Sequence, residues 1–295
     1  MAIFLNLRNI KLIACDVDGT LFNSKGKIGN ETKKILMKLQ QQGVKIAICS
    51  GRAPFELKSI VDELELKRYD GYLLHGNGAG IYHVKKDVNI QFPQVPPDAI
   101  SEIIKIAHAM HLFVIVSQKG NYACSYTLPL AIKREIAKRL YRPMRASKVV
   151  RLRQFAYMAR NANMVEHLEN HIHNAANKLC IRGNPKILHR AEDAIRKKYP
   201  EKFNYFYLSE GSLEITDIHV SKAQALLSLC DQLDIHLDQV IAFGDSNNDD
   251  EMLSIIPYGV AMENAFPSTK SAASYITKSN DEEGIAVFLH NFFNQ

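Results

Sequence analysis

Asp16-Val17-Asp18-Gly19-Thr20 sets two carboxylates two positions apart, directly after the apolar run from Ile10 to Cys15. One carboxylate is suited to attack a phosphoryl group and the other to move a proton. Gly19 permits a tight turn in which backbone amides face an anion. Alone, the same five residues also fit an ordinary Asp-Gly turn at the end of a strand.

Three later segments add the complementary chemistry. Ser50-Gly51-Arg52 follows the apolar run Val44 to Cys49 and offers a hydroxyl and a backbone amide to phosphate oxygens. Lys222 opens the amphipathic stretch from Ala223 to Leu233, where a cation opposes the helix dipole and so suggests a partner of negative charge. Gly244-Asp245-Ser246-Asn247-Asn248-Asp249 follows Val240 to Phe243 and supplies carboxylate and amide oxygens of the kind that hold Mg²⁺. Each has a plain reading by itself: Ser50 as an N-cap, Lys222 as a surface lysine, the acidic turn as a helix cap. Together the four lie at expected strand or helix ends in one order, which favours a single anion site.

The surrounding pattern predicts elements able to position them. Strand-like Ile10–Cys15, Val44–Cys49 and Gly71–Leu74 alternate with helix-like Asn30–Gln42 and Pro54–Leu64, giving βαβαβ and a parallel sheet covered by helices. In such sheets ligands bind beyond the carboxyl ends of the strands. His75-Gly76-Asn77-Gly78-Ala79-Gly80 has the wrong glycine spacing for a dinucleotide loop and precedes a strand, so it is read as a turn into a hairpin. Pro93, Pro96 and Pro97 punctuate a boundary. A helix is expected over Asp98–His111, strands over Phe113–Val116, Tyr122–Ser125 and Lys178–Arg182, and a helix over Pro185–Lys198. A hairpin is expected across Glu210-Gly211-Ser212. The expected organisation is an α/β Rossmann-like core from residues 1–91 and 217–295, with an α+β cap inserted at 92–216.

At this point the sequence resembles the Cof-type phosphatases of the haloacid dehalogenase-like superfamily. The likeness runs nearly end to end. It rests on Asp16 to Leu21, Gly43 to Arg52, Asn77-Gly78 with Tyr82, Leu213-Glu214-Ile215 before Lys222, Gly244 to Met252, and Asn264-Ala265 through Lys278-Ser279-Asn280 to Gly284. Two positions depart from the family pattern: Ala223 stands where Gly is usual, and Val220 where Asn is usual.

The resemblance implies Mg²⁺-dependent hydrolysis of small phosphomonoesters through a phosphorylated Asp16, with Asp18 as general acid and then base. It implies metal ligation by Asp16, Asp245 and the Asp18 backbone carbonyl. It also implies phosphate binding by Val17 and Gly51 amides, Ser50, Lys222 and Asn248. Thr20, Arg52 and Asp249 take supporting places, Arg52 either near substrate or in an ion pair. Sugar phosphates, phosphorylated cofactors and nucleotides all remain open as substrates. A phosphotransferase or mutase with the same intermediate, and a non-catalytic phosphate sensor on the same fold, are the alternatives.

Bulk properties are compatible with this. The 295 residues are 46% hydrophobic and 23% charged, which suits a globular enzyme, and no run approaches the ~20 apolar residues of a membrane span. Five scattered cysteines without Cys-x-x-Cys spacing read as reduced core thiols, and with no signal-like start the expectation is a cytoplasmic protein. The net charge of +6 concentrates between Lys133 and Arg160, where ten Lys or Arg face the single acid Glu135. That stretch is either a solvated face or a field for anionic substrates. Its thinly interleaved aromatics argue against a nucleic-acid platform. His167, His171 and His173 have spacing that a metal could use, but surface or core histidines are the stronger reading.

Overall fold

The computed structural model describes residues 9–118, 121–125, 162–165 and 167–293. The basic stretch from Lys133 to Arg160 lies outside these residues. The chain divides into two compact units, Met1–Phe92 with His219–Gln295, and Pro93–Ile218.

The first unit is built on an eight-stranded sheet. In chain order its strands are β1 (Leu12–Asp16), β2 (Lys45–Cys49), β3 (Tyr72–His75), β4 (Gly80–His83) and β5 (Val88–Gln91), then β12 (Val240–Gly244), β13 (Tyr258–Ala261) and β14 (Tyr275–Ile276). Their spatial order is β14-β13-β12-β1-β2-β3-β4-β5. The strands from β14 through β3 run parallel, and β3-β4-β5 form an antiparallel meander. All five residues of β1 are buried, as expected of a central strand covered on both faces.

Strand periodicity splits those residues between two cores. Ile13 and Cys15 join Ile46, Ile48, Ile241 and Phe243 under the helices Asn30–Gln41 and Gly284–Phe293, which contribute Ile35, Leu36, Leu39, Ile285 and Leu289. Leu12 and Ala14 join Ala47, Cys49, Val240 and Ala242 under the helices Lys222–Leu233 and Asp250–Ile255, which contribute Leu226, Leu229, Met252 and Leu253. The hairpin expected after Leu74 is present, with Asn77 and Gly78 both at positive φ in its turn. The partner strand β5 was not anticipated, because its four residues are all exposed and carry no burial pattern. Pro54–Leu64 is not one continuous helix. It is a 3₁₀ turn at Pro54–Leu57 followed by the helix Lys58–Glu63.

The second unit carries a sheet of order β10-β11-β9-β6-β7-β8. Its strands are β6 (Phe113–Gln118), β7 (Asn121–Ser125), β8 (Ala162–Val165), β9 (Lys178–Arg182), β10 (Phe203–Ser209) and β11 (Ser212–Asp217). Val114, Val116, Leu179, Ile181, Leu213 and Ile215 form one core with the helices Pro97–Ala109 and Pro185–Lys198. Pro185 occupies the first helical position, and Asn184 caps it by accepting from the Lys186 amide at 3.0 Å. On β9 and β11, the alternate residues Lys178 and Glu214 form a buried ion pair at 2.6 Å.

Candidate active site

β1 lies between β12 and β2, so the carboxyl ends of three adjacent parallel strands deliver the candidate residues to one place. Asp16 is the last residue of β1 and sits opposite Cys49, so Ser50 follows on the next strand. On the other side Cys15 sits opposite Phe243, so Gly244 and Asp245 follow there. Connections leave this point toward opposite edges of the sheet, the arrangement that opens a ligand crevice in doubly wound folds.

Lys222 is the centre of the charge pattern. Its Nζ donates to Asp16 Oδ1 and to Asp249 Oδ1, both at 2.6 Å, with the lysine 1% exposed and Asp249 fully buried. The helix placement that looked unfavourable for a cation is thus offset by two carboxylates. Ser221 caps this helix by accepting from the Gln224 amide at 3.1 Å. The hairpin turn packs against the same helix start. A Cβ on Gly78 would lie 2.0 Å from the Ser221 carbonyl oxygen, and Gly78 has φ +94°, so only glycine lets the two segments meet. Val220 and Ala223, the two departures from the family pattern, are both buried at this start.

Asp249 is saturated: its Oδ2 accepts from the Asp245 and Ser246 amides, each at 3.0 Å, while Oδ1 holds Lys222. Asp245 accepts from Thr20 Oγ1 at 2.8 Å and from Ser246 Oγ at 3.1 Å. A Cβ on Gly19 would fall 2.4 Å from Asp245 Oδ2, so the turn after Asp16 presses against that carboxylate. Carboxylate oxygens of Asp16, Asp245 and Asp249 lie within 4.8 Å of one another.

Three carboxylates and one ammonium leave excess negative charge. Burial, Asp249 and Asp245 raise the Asp16 pKa well above the usual carboxylate range, against the opposing pull of Lys222. Burial and Asp249 push Asp245 up to about 6, despite Thr20, Lys222 and Ser246. Burial works against the Lys222 charge, yet Asp16 and Asp249 outweigh it and raise its pKa. This donor set fits a hard divalent cation. It is all oxygen and short of positive charge, and the Asp16 carboxylate uses only Oδ1 in its hydrogen bond to Lys222. Asp16 and Asp245 are the carboxylates suited to hold it, because Asp249 is already committed.

The remaining candidates fall around this centre. Arg52 forks onto Asp18, Nε to Oδ2 at 2.8 Å and Nη2 to Oδ1 at 2.5 Å. Its guanidinium lies 5.5 Å from the centroid of the Phe22 ring. Arg52 thus forms an ion pair, one of the two places the sequence offered it. Ser50 is buried, and its Oγ accepts from the Arg52 amide at 3.2 Å rather than capping a helix. Asn248 Nδ2 donates to Asn77 Oδ1 at 3.0 Å, and the Asn248 Oδ1 is buried without a partner. Val17 is fully buried, and Gly51 follows Ser50 in the loop after β2. Cys15 and Cys49 are 0% exposed, and burial raises both thiols, which makes them core residues.

Two residues carried no assigned role in the sequence reading. Asn264 Nδ2 donates to the Gly19 carbonyl at 2.8 Å, and Asn280 Nδ2 donates to the Phe22 carbonyl at 2.8 Å. Both belong to the tail segments on which the family likeness rested, and that likeness was their only signal. The histidine cluster does not assemble: His171 Nδ1 meets the His167 carbonyl, and His167 faces Glu169 at 3.5 Å. Among the described residues the aspartate trio is the one group of three metal-ligating side chains. No helix among them is long and apolar enough to cross a membrane.

Known proteins agree with this architecture. A phosphatase of Bacillus subtilis is 28% identical over 288 residues, covering 94% of this chain and 98% of its own. A second B. subtilis protein, a 5-amino-6-(5-phospho-D-ribitylamino)uracil phosphatase, is 25% identical over 285 residues, covering 95% and 97%. The crystal structure of a haloacid dehalogenase-like hydrolase from Bacteroides thetaiotaomicron superposes with a TM-score of 0.78 at 26% identity, covering 96% of this chain and all of that one. The sequence profile of the haloacid dehalogenase-like hydrolases matches residues 13–289, and the chain belongs to that family.

Proposed function

We propose that the protein is a Mg²⁺-dependent phosphatase that hydrolyses small phosphomonoesters through a phosphorylated Asp16. The observation that carries this reading is the buried pairing of Lys222 with Asp16 and Asp249 at the end of the central strand. It presents a carboxylate nucleophile beside a fixed cation, with one oxygen not engaged by that cation.

In the first step the Asp16 carboxylate forms a bond to phosphorus while the ester P–O bond breaks, and Asp18 gives its proton to the departing alcohol. In the second step water attacks the phosphorus of the acyl phosphate, Asp18 takes the water proton, and Asp16 leaves as a carboxylate. Lys222, the Ser50 hydroxyl, the Val17 and Gly51 amides and the Asn248 amide bind the phosphoryl oxygens, and they count most as charge spreads in the transition state. Asp16, the Asp18 carbonyl and Asp245 would hold Mg²⁺, which would supply the positive charge that the three carboxylates lack. Thr20 orients Asp245, and Asp249 orients Lys222. One Asp18 oxygen must release its Arg52 hydrogen bond to carry the proton, while the other can stay held by the guanidinium.

The unit Pro93–Ile218 serves as the substrate-selecting cap. Sugar phosphates, phosphorylated cofactors and nucleotides are the candidates, and the ribitylamino-uracil phosphatase relative favours compact, hydroxyl-rich monophosphates. The test is a panel of phosphomonoesters assayed with Mg²⁺, with Ca²⁺ and without metal, together with acid-quenched labelling by a ³²P-substrate. Mg²⁺-dependent phosphate release and label on Asp16 are expected. Turnover without a labelled intermediate, or equal rates with Ca²⁺, would overturn the mechanism.

A further inference from the structure

The Gly19 turn and Asp245 come from loops 226 residues apart in sequence, yet Gly19 fits against the Asp245 carboxylate with no room for a Cβ. Something must hold that gap. The backbone of the 262–266 loop is tied to the Asp245 side: the Met262 amide donates to the Gly244 carbonyl and the Phe266 amide to the Asp245 carbonyl, each at 3.0 Å. From the same loop Asn264 Nδ2 reaches across to the Gly19 carbonyl at 2.8 Å. Thr20 Oγ1 already ties the turn to the Asp245 carboxylate at 2.8 Å, and the Asn264 side chain adds a second tie, from the loop behind Asp245 to the turn backbone.

That side chain is itself held. Asn264 Oδ1 accepts from the Asn280 amide at 2.9 Å, and Asn280 Nδ2 donates to the Phe22 carbonyl at 2.8 Å, at the far end of the turn. Asp281 extends the contact by accepting from the Ser24 amide at 2.8 Å. A primary amide suits position 264, because one end must donate and the other accept. Aspartate lacks the donor and alanine lacks both.

We infer that Asn264, locked by Asn280, is a positioning residue that sets the spacing between the Asp16–Thr20 turn and the Asp245 carboxylate, and through it the affinity of the site for its divalent cation. This rests on the Mg²⁺-dependent reading above. Partners that orient metal ligands at one remove typically change affinity ten- to a hundredfold when lost.

The experiment is calorimetric titration of Mg²⁺ into the full-length protein and its variants, with circular dichroism to confirm folding. Asn264→Ala should bind Mg²⁺ about tenfold more weakly or worse. Asn264→Asp keeps an acceptor for the Asn280 amide but loses the donor to Gly19. Its added charge alone would tighten cation binding, so weaker binding there marks the lost donor. Thr277→Val, which removes the bond from Thr277 Oγ1 to the Gly284 carbonyl in the same C-terminal segment, should bind as the parent does. If Asn264→Ala does not fold, Asn280→Ala carries the test with a loss in the same direction. Parent-like binding by the variant that carries the test, tighter binding by Asn264→Asp, or an equal loss in Thr277→Val overturns the inference. A flat titration of the parent overturns the Mg²⁺ reading with it, and is distinguished because no variant is then involved.

Discussion

Arg52 holds both side-chain oxygens of Asp18 at once, at 2.8 and 2.5 Å, although the Asp18 side chain is largely exposed. Forked guanidinium–carboxylate pairs fix direction as well as distance. The Arg52 backbone adds two further ties, its amide to Ser50 Oγ at 3.2 Å and its carbonyl accepting from the Gly76 amide at 3.1 Å. Arg52 thus joins the loops after β1, β2 and β3.

Arg52→Lys should therefore keep the charge but lose the fork. Loss of a positioned proton donor costs within the ~10²–10⁴ range of general acid–base help, and a misaligned one costs less, about tenfold. The drop in kcat should be larger for an alkyl phosphate than for p-nitrophenyl phosphate, whose leaving group needs little protonation. Equal drops for both esters, measured in the phosphoenzyme-forming step, would separate Arg52 from Asp18.

Asp16→Asn should fold and lose ~10⁴-fold or more in kcat, the scale of removing a nucleophile. Its stability should move the other way. A carboxylate whose folded pKa is raised destabilises the fold at pH values above its unfolded pKa, because the charged form is disfavoured in place. A neutral amide removes that cost, so Tm of the metal-free variant at neutral pH should exceed that of the parent. A scanning calorimetry comparison without Mg²⁺ decides it.

Lys222→Met should behave oppositely. It leaves Asp16 and Asp249 buried beside each other with no cation, and breaking a buried pair from one side costs about 3–5 kcal/mol. Urea unfolding should show that loss at neutral pH. The loss should shrink as pH falls and the Asp16 carboxylate, whose pKa is raised, takes up a proton.

Away from the site, Asp70 accepts from Lys45 Nζ at 2.6 Å and meets His83 Nε2 at 2.7 Å. The Lys45 hydrogen bond, helped by His83, lowers its pKa to about 2. A depressed folded pKa means stability that is present above the unfolded value of about 3.9 and lost as pH falls toward 2. The pair is partly solvated, so screening limits its worth to about 1 kcal/mol. Asp70→Asn should lower the unfolding free energy read from urea titration at pH 6 by that amount and make no difference near pH 2.

Much of this was legible in the sequence because local chemistry and periodicity agreed. The run ending at Asp16, the helix opening at Lys222 and the strand before Gly244 each announced their place through apolar spacing, and Pro185 marked its helix start. What escaped were features with no periodic signature. β5 is exposed on all four residues, so nothing marked Val88–Gln91 as a strand. The roles of Asn264 and Asn280 depend on backbone carbonyls about 250 residues earlier, and a polar side chain in a loop does not declare its acceptor. An ion pair was one of two places offered for Arg52, and nothing local marked Asp18, on a neighbouring loop, as its partner.

The order of strands also shapes how the chain is made. β1 is synthesised well before its neighbour β12, which lies some 225 residues later in the sequence. Until β12 arrives, one full edge of Leu12–Asp16 stays unpaired, an apolar strand edge of the kind that recruits stray chains. Long-range pairing of this sort also slows folding, because loop closure precedes its reward. The first unit therefore cannot finish during early synthesis. Before residue 240 is made, the nascent chain carries this open edge, and aggregation competes with maturation for as long as it does.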